Sequence, residues 1–208
     1  MMRRTSALSR TGFALMAILS ALIALASVRF LLGIAPPEVI LANRFVSGWF
    51  ALHVAGATVA LALGPFQFSP RLRNARPRAH RWIGRTYAVA CLLGGTAGLV
   101  LALGASTGPI SQAGFGLLAV LWLSFTVQGW RMALQGRYRT DHRDWMIRSF
   151  ALTFAAVTLR IHLPLSQVLG LPFEQSYQVI SWLSWVPNLL VAELVLSRTR
   201  PRRRAATA

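Results

Sequence analysis

The chain has 208 residues, of which 55% are hydrophobic and only 13% charged, and its formal net charge is +17. A soluble domain carries about twice that share of charge, so the composition points to a membrane protein. No polar domain remains to carry a nucleic-acid patch, and one cysteine, Cys91, can form neither a disulfide framework nor a thiolate metal cluster.

Taken in order, the apolar runs predict spans at about 11–34, 46–66, 83–103, 113–130, 144–163 and 178–196. The fold expected is an all-α polytopic bundle of six transmembrane helices, forming one integral membrane domain over 1–208. Ala24-Leu25-Ala26 has the look of a secretory cleavage site. The first run is longer than the core of about 7–15 residues that such signals carry, which favours a retained first helix. Residues 67–85 read as a basic loop, because Pro70 and Pro77 interrupt them. Every basic side chain is Arg. Nineteen of the 22 fall at the N-terminus, in the segments around 67–85 and 131–148, and in the tail. Basic residues flanking spans stay cytoplasmic, so the reading is a multi-pass inner-membrane protein with both termini inside.

One stretch is written twice. His80-Arg-Trp-Ile-Gly-Arg-Thr-Tyr-Ala88 returns as His142-Arg-Asp-Trp-Met-Ile-Arg-Ser-Phe-Ala151, with Asp144 inserted. Each copy opens a span running outward from the cytoplasmic face, so spans three-four and five-six form a candidate parallel hairpin repeat. Arg and Trp suit any such interface. That does not account for the matching histidines and hydroxyl residues.

At 100° per residue, His80 shares a face with Gly84, Tyr87, Cys91, Gly94 and Gly98, and His142 with Met146, Ser149 and Thr153. His53 lies over Gly56, Ala60 and Gly64. Small and polar faces let helices approach in lipid, so these histidines are expected to point inward, with spans one and four outside. His80 and His142 stand at one depth and can serve as the two axial ligands of a haem iron, with Arg85 and Arg148 beside its propionates. The same pair can instead recognise an anionic lipid head group, a quinone or another small molecule, or simply pack at the helix starts. His162 is out of phase with His142 and reads as interfacial. An Arg deep in a span is costly, so Arg160, with His53 and Asn188, makes an outer-half polar cluster; snorkelling is its alternative. No hydrolase or nucleotide-binding motif occurs, and enzymatic activity stays open.

Over about residues 46 to 165 the chain resembles the bacterial six-span predicted membrane proteins grouped as domain of unknown function 2306. The likeness rests on His53, Gly64-Pro-Phe-Gln-Phe68, His80 to Tyr87 and His142 to Thr153, continuing to Arg160. It implies an integral membrane protein and brings no activity. A looser similarity is to transmembrane di-haem cytochromes, from which the chain departs in having no histidine in spans four and six.

Overall fold

The computed structural model describes residues 7–34, 36 and 38–204. Arg3 and Arg4 of the basic count, with Ala35 and Pro37 of the first connection, lie outside the described residues. In order, the helices are α1 (Ala7–Leu31), α2 (Glu38–Leu41), α3 (Ser47–Gln67), α4 (Pro70–Ala75), α5 (Pro77–Leu103) and α6 (Pro109–Leu134). A π-helical turn at Tyr138–His142 leads into α7 (Arg143–Thr153), α8 (Ala155–Val168), α9 (Phe173–Leu183) and α10 (Val186–Arg204). No strand occurs among the described residues, and six helical runs are long and apolar enough to cross a membrane. The fifth run bends at Phe154 between α7 and α8, and the sixth at Ser184 and Trp185 between α9 and α10.

The stretch 67–85 is helical, not a loop. Pro70 and Pro77 each stand at a helix start, where a missing N–H costs nothing because the first turn has no carbonyl to bond. Ser69 caps α4, its Oγ accepting from the Leu72 amide at 3.2 Å. Prolines read as breakers therefore act as initiators. With 27 residues, α5 is about 40 Å long, roughly 10 Å more than the hydrocarbon core, so its first turns and His80 stand at the interface.

Span four is the other correction. α6 is central, packed on α5, α7 and α9, and it buries Ser111, Gly114, Ala119, Trp122, Thr126 and Gly129 along one side. α1 is peripheral as expected: it packs on α3 and α8 and turns Leu15, Ile18, Leu22 and Leu25 outward. The core joins Ala60, Tyr87, Ala90, Cys91, Trp122, Phe150 and Trp185. Exposed apolar side chains on every span form a surface that suits lipid and would aggregate in water.

α3 and α5 meet backbone to backbone. A Cβ on Gly56 would stand 2.7 Å from both the Ala90 carbonyl oxygen and the Gly94 nitrogen, and neither backbone atom can yield. Gly56→Ala should therefore force the helices apart and cost about 1–3 kcal/mol. Gly48→Ala, at a position with nothing within 4 Å, should be neutral. Thermal unfolding in detergent compares the two, and equal midpoints would remove this contact from the account.

Candidate functional site

At the end where α5 and α7 begin and α3 and α6 finish, a cleft of about 1830 Å³ opens between them. It is bounded by Gln67 at the foot of α3, by Arg73 and Asn74 of α4, by His80, Arg81, Gly84 and Arg85 of α5, and by Tyr138, Asp141, His142, Arg143 and Asp144. Apolar side chains, among them Phe68, Trp130, Ile147 and Phe150, continue it inward. The two histidines expected to act together both line it, and His80 lies within electrostatic range of His142 and Arg73.

The wide turn before α7 sets His142 against α6. The His142 amide bonds to the Arg137 carbonyl five residues back, at 3.1 Å. The ring Nδ1–H donates to the Gly129 carbonyl at 2.8 Å, so that in the neutral tautomer this bond selects it is Nε2 that can accept or coordinate. Three other polar atoms of the cleft walls are buried without a hydrogen-bond partner: Gln67 Nε2, His80 Nδ1 and Arg143 Nη1. Gln67 leans in because residue 84 is glycine; a Cβ there would stand 3.1 Å from Gln67 Oε1. Of the nearby acids, Asp141 is paired with Arg137.

The two copied boxes share a local contact and diverge beyond it. The Arg85 guanidinium lies over the Trp82 ring at 5.1 Å, and that of Arg148 over Trp145 at 4.9 Å. Arg85 is exposed at the cleft, whereas Arg148 is buried and forms a two-point ion pair with Glu193 of α10, at 2.5 and 2.9 Å. Arg148 does not line the cleft.

Beneath the cleft lies a knot of hydroxyls. Tyr87, whose ring reaches the cleft, joins its OH to Ser149 Oγ at 3.0 Å and to Thr153 Oγ1 at 2.9 Å. Trp122 Nε1–H donates to Thr153 Oγ1 at 2.9 Å, Thr126 meets Ser149 at 2.8 Å, and the Cys91 thiol sits among them. Together they fix α5, α6 and α7 where no water is available.

Of the outer-half residues, His53 and Arg160 come within electrostatic range of one another. The His53 Nδ1–H donates to the Gly94 carbonyl at 2.8 Å. Asn188 goes elsewhere: its amide donates to Thr158 Oγ1 at 3.1 Å and to the Ser184 carbonyl at 2.9 Å, latching the bend of span six to α8. His162 is half-buried in α8.

Sequence reasoning missed Gln67 and Arg73 as cleft residues and the whole inner side of α6, whereas Arg81 and Arg143, readable beside the two histidines, do line the cleft. The α6 stripe was visible, since Ser111, Gly114, Trp122, Thr126 and Gly129 recur at helical spacing. The cleft residues carried no periodic signal, because they come from four helix ends and a turn.

Among the described residues no group of three or more His, Cys, Asp or Glu side chains converges as a metal cage. Six apolar spans around a polar-walled cleft define a polytopic α-helical membrane protein. The model of one family, described as "Predicted membrane protein (DUF2306)", matches residues 50–196, and the chain belongs to that family. No curated protein and no solved structure matches it.

Tyr87→Phe should destabilise the bundle by about 1 kcal/mol, the scale of hydrogen bonds between membrane helices. Stability in mixed micelles measures this, and Tyr138→Phe, at an exposed position, is the control. An unchanged midpoint would show that Ser149 and Thr153 satisfy each other without Tyr87.

Proposed function

We propose that the chain is a membrane-embedded binding protein whose cleft takes an acceptor-rich amphiphile: an anionic lipid head group, a quinone or a comparable small molecule. The observation that carries this reading is the trio of buried, unpartnered atoms on its walls, Gln67 Nε2, His80 Nδ1 and Arg143 Nη1. Two are obligate donors and the third, an imidazole nitrogen, can donate as well. A buried donor without an acceptor is costly, and a ligand oxygen or phosphate removes the cost. Arg73, Arg81 and Arg85 add positive charge, and the apolar inner wall suits a tail or ring.

A second reading keeps the two imidazoles as haem ligands, and one observation favours it. The bond from His142 Nδ1–H to the Gly129 carbonyl is of the kind that fixes the ring of a metal-ligating histidine and would leave Nε2 for an iron. In this reading His80 and His142 would hold the iron, and Arg85 and Arg143 would pair with the propionates. Arg148 is already held by Glu193. Bound haem would make the protein a one-electron carrier of the membrane.

Orientation belongs to the same proposal: the basic end faces the cytoplasm of an inner membrane and the connection at 104–112 faces outward. In a Cys91→Ala background, a cysteine at exposed Ser106 should react with an impermeant maleimide in intact cells. Labelling only after permeabilisation would invert the topology.

The two ligand readings separate in purified protein. Titration with short-chain phosphatidylglycerol, and in parallel with a short-tailed quinone, should give affinities that fall roughly ten- to a hundredfold in Arg143→Gln and His80→Ala, as expected for a lost charge-assisted hydrogen bond. Unchanged affinities would place binding outside the cleft. If haem is the ligand, protein from haem-replete cells shows a low-spin b-type difference spectrum that His80→Ala and His142→Ala abolish and His162→Ala keeps. A colourless preparation rejects it.

A further inference from the structure

At the opposite end of the bundle, α1, α3 and α8 meet around a small apolar cluster of Ala24, Leu61 and Val157. Each helix carries a basic side chain beyond it: Arg29 five residues past Ala24, His53 eight before Leu61, and Arg160 three past Val157, with His162 two residues further along α8. These steps are about 8, 12 and 5 Å toward the same end. Arg160 lies within electrostatic range of both Arg29 and His53.

Snorkelling would extend the Arg160 guanidinium toward water. Instead its Nη1 donates to the Ala156 carbonyl at 3.1 Å. In an α-helix that carbonyl faces the amide of the residue four further on, so the guanidinium stays at the level of its own turn. No carboxylate is bonded to Arg160 or Arg29 among the described residues. The neighbouring imidazole already gives its Nδ1–H to Gly94, and Gly98 is a glycine where a Cβ would stand 2.9 Å from that nitrogen. Two guanidiniums on α1 and α8, helices that pack on one another, with no carboxylate bonded to either among the described residues, call for an anion from outside.

We propose that this junction is a second anion site, separate from the basic-end cleft, which binds the phosphate of an anionic phospholipid in the leaflet at this end. Arg160 holds the phosphate at the depth of the first helical turns. Arg29, exposed and stacked over Phe30 at 4.7 Å, closes over it from the lipid side. The acyl chains then lie along the outward apolar faces of α1 and α8.

The test is lipid retention by the full chain in nanodiscs of phosphatidylcholine with or without phosphatidylglycerol, read by native mass spectrometry after release. Wild type should keep a tightly held phosphatidylglycerol that Arg160→Gln and Arg29→Gln each lose, that Arg160→Lys keeps in part, and that Arg44→Gln, an exposed Arg at the same end, keeps fully. If Arg160→Gln does not fold, Arg29→Gln carries the comparison. A parallel arm adds inorganic phosphate to phosphatidylcholine discs. A rise in thermal midpoint that depends on Arg160 there identifies the same phosphate site with a free anion as its source. Arg143→Gln and His80→Ala, changed only at the cleft, should retain the lipid lost here, so failure of one site does not mimic failure of the other. Equal retention by wild type and both glutamine variants, with no phosphate effect, overturns the proposal; so does equal loss in Arg44→Gln.

Discussion

Gly56 and Gly94 let two backbones touch inside lipid, and the rest of the bundle is arranged around that contact. Helices in a membrane gain little from burying apolar surface against one another, so dispersion at short range and interhelical hydrogen bonds must hold them. The α3–α5 seam supplies both. Toward one end Gly98 makes room for His53, whose ring bonds to Gly94. Toward the other, Gly64 leaves space for the Phe150 ring beside Tyr87, and Gly84 admits Gln67 to the cleft. Both candidate sites thus sit at the two ends of a single glycine-lined seam.

Much of this was legible because helical phase is a strong signal in a chain of long apolar spans. The faces read below His53 and His80 are the buried ones: Gly56, Ala60 and Gly64 on α3, and Tyr87, Cys91 and Gly94 on α5. Phase says which side of a helix turns inward, but not which helix it meets. Asn188 was assigned to Arg160 by depth alone, and its actual partner, Thr158, lies two residues away on another face of α8. Arg148 was placed beside a cofactor by analogy with Arg85, and Glu193, far along the chain, takes it instead. Proline misled for a local reason. Its missing N–H breaks a helix interior but fits a first turn; Ser69 marks that turn for Pro70, while Pro77 starts α5 with no side-chain cap before it.

Charge is distributed in a way that sharpens both sites. The chain has five acids for 22 arginines. Two of those acids, Asp141 and Glu193, already hold Arg137 and Arg148. Most remaining arginines stand at the basic end, where water and lipid phosphates screen them at little cost. Arg143 and Arg160 differ because protein surrounds them: one has a buried Nη1 without a partner, and the other has only a carbonyl of its own helix. Burial without a counter-charge singles these two out from the rest.

The duplicated box shows how one local device can serve two ends. In both copies an Arg lies over the Trp three residues before it, which stiffens the helix start and presents the guanidinium on a fixed heading. What that heading meets decides the role. Arg148 points at α10 and finds Glu193, so the second copy ties the last helix to α7. Arg85 meets no carboxylate among the described residues and lines the cleft, so the first copy leaves its charge available to a ligand. The same sequence motif is therefore a structural clamp in one place and part of the cleft wall in the other, and the difference lies in the helix that packs opposite.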